Sequence, residues 1–328
     1  LNQPLIIQPG TVVKLKPGAT LVLTKKLTAM GTSADPICFL PVHQRQNPWG
    51  AIVLAGRGTD DSILTHCEMS GGSGRKDDMF EYSGMLSIHD VRGVLISDCT
   101  LRNNRVVDDM VHVVYSEVRM ERVAFQGAIS DALDLDISQV EIRDSQFENS
   151  GNDAVDLMST KAVIAGSIFR NNGDKGISVG ENSNVVIHNS IFRENNIGLA
   201  SKDGSRAYIL YSDLKDNKMH LSAYAKNWQY GAGGTAYIYK SYVMGKLNQF
   251  NSTNNSSVTI GDSSIVGEIS QRGKNLIFRQ DVDYFDSKKT SNEINMSIIH
   301  PLFSHILPVK DKNKRGSDLS SNELTKRN

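Results

Sequence analysis

The sequence has few cysteines, no long apolar run and no excess of charge of either sign. Its cysteines, Cys38, Cys67 and Cys99, form no Cys-x-x-Cys pair and are too few for a disulfide framework, so we expect free thiols that pack as small apolar residues. No apolar run approaches the ~20 residues of a membrane helix, which argues against a spanning segment. Lysine plus arginine and aspartate plus glutamate number 36 each, a balance that indicates neither nucleic acid nor an anionic membrane as a partner.

What the sequence does have is a repeat of constant length. One series of equivalent positions, each 22 residues after the last, is Met110, Ala132, Ala154, Gly176, Gly198 and His220. The residue that follows each of them is apolar: Val111, Leu133, Val155, Ile177, Leu199 and Leu221. Apolar and polar residues then alternate with period two, the pattern of a β-strand with one buried face.

Each repeat carries a second segment in which residue types recur in fixed positions. The aromatic positions are Phe125, Phe147, Phe169 and Phe192, followed by Leu214. Two residues before them stand small side chains, Val123, Ser145, Ser167, Ser190 and Ser212, and Cys67 and Cys99 hold this position in earlier repeats. Near the next turn stand Asn149, Asn171 and Asn195. When coils lie about 4.8 Å apart, such columns predict an internal phenylalanine stack, a stack of small residues and an asparagine ladder.

These patterns predict an all-β chain folded as a single-stranded right-handed parallel β-helix, a solenoid of about 22-residue coils with capped ends. A helical solenoid would need a period of 3.6 instead of two. We expect the β-helix with its N-terminal cap in residues 1–250, the last coil or coils and a C-terminal capping segment in 251–310, and a disordered tail in 311–328. An insertion at residues 71–84 is expected on the same edge as the acidic residues described next.

Aspartates take the outward positions of the first strand in two successive repeats. If Leu133 and Leu135 point into the core, Asp134 and Asp136 point out, and Asp156 lies over Asp134 one coil later. Three lines result, together with a turn pair: Asp109, Asp131, Asp153 and Lys175; His112, Asp134, Asp156 and Ser178; Val114, Asp136, Met158, Gly180 and Lys202; and the pair Glu181 and Asp203. The sequence thus predicts a group of carboxylates bordered by two lysines.

Ionised carboxylates this close repel one another unless something neutralises them. A bound cation, a shared proton or the neighbouring lysines would do so. A solvated polar face with occasional salt bridges is the alternative. The recurrence of the aspartates in register, and the switch to Lys175 in the same line, favour a functional site over that alternative.

The segments SDALDLD, GNDAVDL, GDKGISVGENS and GLASKDGS look like those of bacterial β-helix repeat proteins. Over residues 5–245 the chain resembles the right-handed parallel β-helix superfamily typified by pectate lyases. The resemblance implies an enzyme of acidic extracellular polysaccharides, a lyase, hydrolase or epimerase, with its groove along the first sheet. The Gly-His-Gly signature of the pectin-hydrolysing branch is missing from the sequence, and its Arg-x-Lys signature does not occur near the paired aspartates.

The first hypothesis is an extracellular lyase that cleaves a uronic-acid-containing polysaccharide by β-elimination. The substrate carboxylate must be neutralised while the adjacent proton leaves. Calcium is the expected ion, without an organic cofactor, and its expected ligands are Asp134, Asp136, Asp153, Asp156 and Glu181. Lys175 is the first choice of base, because a nearby cation would lower its pKa. Lys202 and then His112 are the other choices.

The second hypothesis is a glycoside hydrolase with a protonated and an ionised carboxyl group on either side of the glycosidic bond. Asp134 and Asp156, on adjacent coils, are closer than an inverting mechanism requires. Asp131 or Asp136 would span more when paired with Asp156.

The third hypothesis is a non-catalytic module that binds a glycan or scaffolds a matrix along its solenoid face. Aromatic side chains would then stack on sugar rings at both ends of the groove. Phe80 and Tyr82 are expected at one end of this groove. The residues expected to bind substrate under the catalytic hypotheses are Tyr224, Trp228, Tyr230, Asp174 and Asp203.

We expect a monomer whose partner is an acidic polysaccharide, with no nucleic acid and no membrane span. The first residues, LNQPLII, lack the basic and apolar regions of a signal peptide. The hypotheses all place the protein outside the cytoplasm, as a secreted, periplasmic or cell-surface protein.

Overall fold

The fold is built almost entirely from short parallel strands. The structure is a computed structural model that describes residues 1–43, 47–76, 81–106, 108–245, 250–253, 255–267 and 276–279. In these ranges the helices are two single 3-10 turns, Arg57–Thr59 and Trp228–Tyr230. Neither of them is long or apolar enough to cross a membrane.

The strands form three parallel sheets, which we call first, second and third in the order in which a coil visits them. The first sheet consists of Leu21–Leu23, Ile52–Ala55, Gly84–His89, Asp109–Val114, Asp131–Asp136, Val155–Met158, Lys175–Gly180, Ile197–Lys202, Met219–Tyr224 and Phe250–Ser252. The second consists of Leu5–Ile7, Leu27–Met30, Ile63–Thr65, Val94–Ser97, Glu117–Glu121, Gln139–Arg143, Lys161–Ala165, Asn184–His188, Arg206–Leu210, Thr235–Tyr239, Ser257–Gly261 and Leu276–Arg279. The third consists of Val12–Leu15, Ile37–Pro41, Cys67–Ser70, Thr100–Arg102, Ala124–Gln126, Gln146–Glu148, Ile168–Arg170, Ile191–Arg193, Asp213–Lys215, Tyr242–Met244 and Ser264–Val266.

The strand register confirms the predicted fold class, a right-handed parallel β-helix. In the first sheet Leu133 pairs with Val155, and Val155 with Ile177, each step being one repeat. In the second sheet Lys161 pairs with Asn184, one residue more than the repeat length. The extra residue lies in the turn after the first-sheet strand. The next turn back to the first sheet is one residue shorter, so the step from Ile177 to Leu199 is again 22 residues.

The interior is held by columns of like residues. The rings of Phe125, Phe147, Phe169 and Phe192 are fully buried and stack with centroid separations of 4.5, 5.0 and 4.9 Å. Next to them the Ser145 hydroxyl oxygen accepts the backbone N–H of Val123 at 3.1 Å, and the bond recurs from coil to coil. Every coil therefore meets its neighbour through matched apolar and polar contacts, which fixes the register.

The asparagine ladder differs from the prediction in one column. Asn195 accepts the backbone N–H of Asn172 and donates its amide to Asn217, with all three side chains buried. Asn171 instead donates to Asn149 at 2.7 Å on the exposed side of the turn. The step between these coils is 23 residues, as from Phe169 to Phe192, so Asn195 lies over Asn172, whereas Asn171 is 24 residues before it.

Two other expectations concern cysteines and chain ends. All three cysteines are free thiols; Cys67 and Cys99 are buried and Cys38 is half-buried. The insertion at 71–84 contains an antiparallel pair, Arg75–Lys76 with Glu81–Tyr82. The C-terminal cap and the tail predicted for residues beyond 279, together with Phe80, lie outside the described residues.

Candidate functional site

The outward face of the first sheet brings six aspartates together, which we call the carboxylate patch. Its members are Asp109, Asp131, Asp134, Asp136, Asp153 and Asp156. Leu133 and Leu135 are fully buried. Because side chains alternate along a strand, Asp134 and Asp136 therefore face outward, and Asp134 pairs in register with His112 on one side and Asp156 on the other.

Two members of the patch hold the backbone. Asp131 Oδ1 accepts the backbone N–H of Asp153 at 2.7 Å and the side-chain amide of Asn152 at 2.8 Å. One coil later, Asp153 Oδ1 accepts the backbone N–H of Lys175 at 2.9 Å. These carboxylates satisfy amide groups at the start of the next strand, so they have a structural role that the sequence pattern alone did not reveal.

Asp134 has the most perturbed carboxyl group of the patch. Burial, followed by the negative charges of Asp109, Asp136, Asp156 and Asp131, raises its pKa to about 9. Its side chain is nevertheless 26% exposed and faces the outer surface of the sheet. At neutral pH Asp134 is therefore a protonated carboxylic acid that a molecule in the groove can reach.

The other buried members of the patch show the same trend to a smaller degree. Burial raises the pKa of Asp109 to about 6, although a hydrogen bond from Ser83 and the nearby His112 act in the opposite direction. Burial likewise raises the pKa of Asp131 to about 6 and that of Asp153 to about 7. The protein thus keeps protons within the patch, one of the three means of neutralisation expected from the sequence.

His112 lies at the N-terminal edge of the patch and contacts Ser83 and His89, two residues that the sequence analysis did not identify. Its Nδ1 atom is 2.8 Å from the hydroxyl of Ser83, and its Nε2 atom is 3.4 Å from Asp136 Oδ2. The ring of His89 meets that of His112 edge to face at 5.2 Å, and Tyr82 lies against His89. Burial lowers the pKa of His89 to about 4, so this imidazole is neutral at pH 7. Continuing the strand register backward by one coil is the signal that could have found His89.

Lys175 does not point into solvent as expected. It is 8% exposed, and its Nζ atom lies 3.3 Å from Asp153 Oδ1 and 2.5 Å from Asp174 Oδ2. Burial disfavours its ammonium ion, but the charges of Asp153 and Asp174 outweigh burial and raise its pKa. A general base needs a lowered pKa, so the electrostatics run against Lys175 as the base, and Asp174 is its ion-pair partner.

Lys202 crosses the face of the sheet to reach the patch. Its buried side chain passes over Gly180, where an added Cβ would lie 2.7 Å from Lys202 Cε. The Nζ atom ends 3.8 Å from Asp156 Oδ1. The glycine thus leaves the space through which Lys202 approaches Asp156. The sequence analysis named both residues as catalytic candidates.

The predicted calcium ligands do not gather around one point. Among the residues that the structure describes, two groups of three side chains bring their ligand atoms within 4.8 Å of one another: Asp109, His112 and Asp134; and Asp108, Asp109 and Asp131. Of the five expected ligands, Asp134, Asp136, Asp153, Asp156 and Glu181, only Asp134 belongs to either group. The reason is that Asp153 is bound to Lys175 and Asp156 faces Lys202. Calcium prefers six to eight oxygen ligands, and these groups fit that preference poorly.

The predicted aromatic residues lie beyond the lysine end of the patch. Tyr224 pairs in register with Lys202, and Trp228 is 87% exposed on a 3-10 turn. Buried Asp203 fixes the base of this loop, because its Oδ1 atom accepts the backbone N–H groups of Lys226 and Asn227 at 2.6 and 2.8 Å. Asp203 therefore supports the loop, while Trp228 and the half-buried Tyr230 form its surface.

Comparison with known proteins agrees with the architecture. Residues 83–267, more than half of the chain, match the family model described as the right handed beta helix region. The chain belongs to the right-handed β-helix family. None of the curated proteins compared with this β-helix matches it in sequence.

Three solved structures are similar to this β-helix. The catalytic unit of a GH87 α-1,3-glucanase from Streptomyces thermodiastaticus has 12% identity and a TM-score of 0.54, with 85% of this chain and 62% of that chain covered. The mannuronan C-5 epimerase AlgE4 A-module from Azotobacter vinelandii has 12% identity and a TM-score of 0.48, with 84% and 91% covered. The Streptococcus pneumoniae surface protein and adhesin PfbA has 12% identity and a TM-score of 0.47, with 82% and 92% covered. At these identities the likeness concerns the fold alone, and this β-helix spans less than two thirds of the glucanase chain.

Proposed function

We propose that the protein is a polysaccharide-cleaving enzyme, and that it acts as a glycoside hydrolase at the carboxylate patch. The observation that carries this proposal is Asp134, a reachable carboxyl group that stays protonated at neutral pH. Glycosidases require one protonated and one ionised carboxyl group beside the scissile bond. The similar glucanase structure, named for action on a polysaccharide, is consistent with a glycan substrate.

In this proposal Asp134 donates its proton to the glycosidic oxygen as the bond to the anomeric carbon breaks. Asp156, which faces the Lys202 ammonium ion, is the ionised partner and attacks the anomeric carbon to form a glycosyl ester. Asp134, now a carboxylate, then takes a proton from the water molecule that hydrolyses the ester.

The register of the two aspartates favours retention of configuration. Asp134 and Asp156 are paired residues on adjacent coils, whose backbones are about 4.8 Å apart. Retaining enzymes hold their two carboxyl groups about 5 Å apart, whereas inverting enzymes need more room for a water molecule. The first sugar product should therefore keep the anomeric configuration of the substrate.

The test is turnover of a panel of polysaccharides by wild-type protein and by three variants. Asp134→Asn and Asp156→Asn should each lower the release of new reducing ends by about 10²- to 10⁴-fold. Asp213→Asn, an exposed aspartate on the third sheet, is the matched control and should leave turnover unchanged. Full turnover by Asp134→Asn would rule out Asp134 as the acid.

A polysaccharide lyase is the second candidate, and the placement of His112 favours it. The Ser83 hydroxyl holds one nitrogen of its imidazole, and the other lies beside the outward carboxyl groups. His112 or Lys202 would remove the proton next to a uronate carboxylate, in place of Lys175, while protonated Asp134 or a divalent cation neutralises that carboxylate.

The products distinguish the candidates. An unsaturated uronate end absorbs ultraviolet light and identifies the lyase, and loss of that signal on adding a chelator would support a role for calcium. Reducing ends without this absorbance identify the hydrolase. Binding without either product would leave a glycan-binding module. Each outcome agrees with our further proposal that the protein works outside the cytoplasm as a secreted, periplasmic or cell-surface protein.

A further inference from the structure

A cavity of about 580 Å³ lies at the corner between the third and the first sheets, away from the carboxylate patch. Its lining includes three cationic residues, Lys14, Arg102 and Arg105, together with apolar Pro41 and the backbone at Gly71. No acidic residue lines it within the described part of the chain. The cavity has the volume of an ordinary small-ligand site and a charge opposite to that of the patch.

The walls of the cavity are held by hydrogen bonds between coils. The backbone N–H of Arg105 donates to the carbonyl of Gly72 at 2.8 Å, and that of Gly71 donates to the carbonyl of Asn103 at 3.2 Å. Beneath them the fully buried Trp49 donates its indole N–H to the carbonyl of Ser70 at 2.8 Å. The cationic side chains thus extend from a fixed backbone.

The charge of the cavity is only partly compensated. Arg102 lies 3.4 Å from Glu68, and both side chains are well exposed. No ion pair joins Lys14 or Arg105 to another of the described residues. An exposed guanidinium group and an ammonium group around one concavity provide the donors that a carboxylate or a sulfate requires.

The position of the cavity connects it with the patch. Arg102 ends the third-sheet strand Thr100–Arg102, and the turn that carries Arg105 leads into the first-sheet strand Asp109–Val114. Arg105 and Asp109 are four positions apart in the chain, which is at most about 14 Å of backbone. A glycan of a few sugar units could occupy the cavity and the patch together.

We propose that the cavity lined by Lys14, Arg102 and Arg105 is an anion subsite that binds the carboxylate groups of an acidic polysaccharide. The role as a subsite of an enzyme rests on the proposed function. The binding itself does not, because the cavity lies outside the patch. The subsite selects a polyanionic chain by charge and places its next sugar units over Asp134.

The test is the affinity of Asp134→Asn protein for short oligomers of galacturonate, of glucuronate, and of mannuronate and guluronate, each compared with its carboxyl-reduced counterpart by calorimetry. At least one uronate oligomer should bind about tenfold or more tightly than its reduced counterpart. Adding Lys14→Gln and Arg105→Gln should abolish that preference. The matched control, Lys161→Gln with Lys218→Gln, removes two exposed lysines elsewhere and should keep it.

Two outcomes would overturn the subsite: no uronate oligomer is preferred over its reduced form, or the preference survives Lys14→Gln with Arg105→Gln. Turnover is measured separately with wild-type protein. Uronate preference without turnover would contradict the proposed enzyme and keep the subsite. Turnover of neutral polysaccharides without uronate preference would support the proposed enzyme and contradict the subsite.

Discussion

The interior of the β-helix and the outward face of its first sheet follow opposite rules. Inside, each coil repeats the residue of its neighbour, as in the stack from Phe125 to Phe192. Outside, the line that begins with Asp109 and Asp131 changes to Lys175, and the line through Asp156 changes to Ser178. Repetition therefore builds the solenoid, and the departures from repetition place different chemical groups next to one another.

Removing a buried ring from the interior stack should have the largest effect on stability. Phe147→Ala removes a fully buried ring from between two stacked neighbours and should lower the free energy of unfolding by about 3–5 kcal/mol. Phe147→Leu, which introduces the residue that Leu214 provides in the same column, should cost distinctly less. Denaturant unfolding measures both. Equal costs would contradict this prediction, because they would mean that the apolar volume kept by leucine does not replace any of the contribution of the aromatic ring.

The two asparagine columns provide a smaller and sharper contrast. Asn195→Ala leaves the buried N–H of Asn172 and the carbonyl of Phe169 without their partner and should cost about 1–3 kcal/mol. Asn171→Gly removes an exposed hydrogen bond, but glycine readily adopts the local backbone φ of 52°. This variant should therefore lose less free energy of unfolding than Asn195→Ala. Thermal unfolding of the two variants compares them. A greater loss for Asn171→Gly would contradict the assignment of the inner column as the structural ladder.

On the outward face, adding a methyl group at Gly180 should lower activity more than it lowers the stability of the fold. Gly180→Ala would displace the Lys202 side chain from Asp156 and should lower kcat/KM by about 10- to 100-fold. Lys202→Met, which keeps most of the side-chain stem without the charge, should lower it at least as much. Full activity in Gly180→Ala together with loss in Lys202→Met would mean that Lys202 needs no fixed path across the glycine.

The patch should also make stability depend on pH. Four of its carboxyl groups, those of Asp109, Asp131, Asp134 and Asp153, have folded-state pKa values between about 6 and about 9, above the ordinary value of 3.8. Between about pH 4 and about pH 9 the folded state therefore binds more protons than the unfolded chain. The melting temperature should fall by a few degrees as pH rises over this range. Asp134→Asn should remove the upper part of this slope, above about pH 7. A slope that is the same in the variant would contradict the assignment to Asp134.

The sequence predicted the features that follow from the alternation along a strand and from the constant repeat length. Alternation of Leu133 with Asp134 located the inward and outward faces, and the constant step placed Asp156 beside Asp134, as the strand register confirms. The asparagine ladder was only partly predicted: Asn171 and Asn195 are 24 residues apart, whereas the extra residue makes the step between these coils 23, so Asn195 aligns with Asn172.

Side-chain direction was beyond such reasoning. Lys175 turned toward Asp153 and Asp174 because burial makes an ion pair the lowest-energy arrangement, whereas strand alternation alone suggested solvent. The Ser83 contact with His112 joins residues from an insertion and from a coil, and no periodic pattern contains it. The cavity at Arg105 likewise depends on a turn whose shape is set by hydrogen bonds to Gly72.

The most direct test of the central claim is the titration of the aspartate side-chain carboxyl groups by carbon-13 nuclear magnetic resonance. It needs no substrate and reads protonation at the patch itself. We predict one carboxyl signal that keeps its proton to about pH 9 and that is absent from Asp134→Asn protein. If every aspartate of the folded protein titrates near the ordinary value of 3.8, the patch holds no proton donor and the account of its chemistry is wrong.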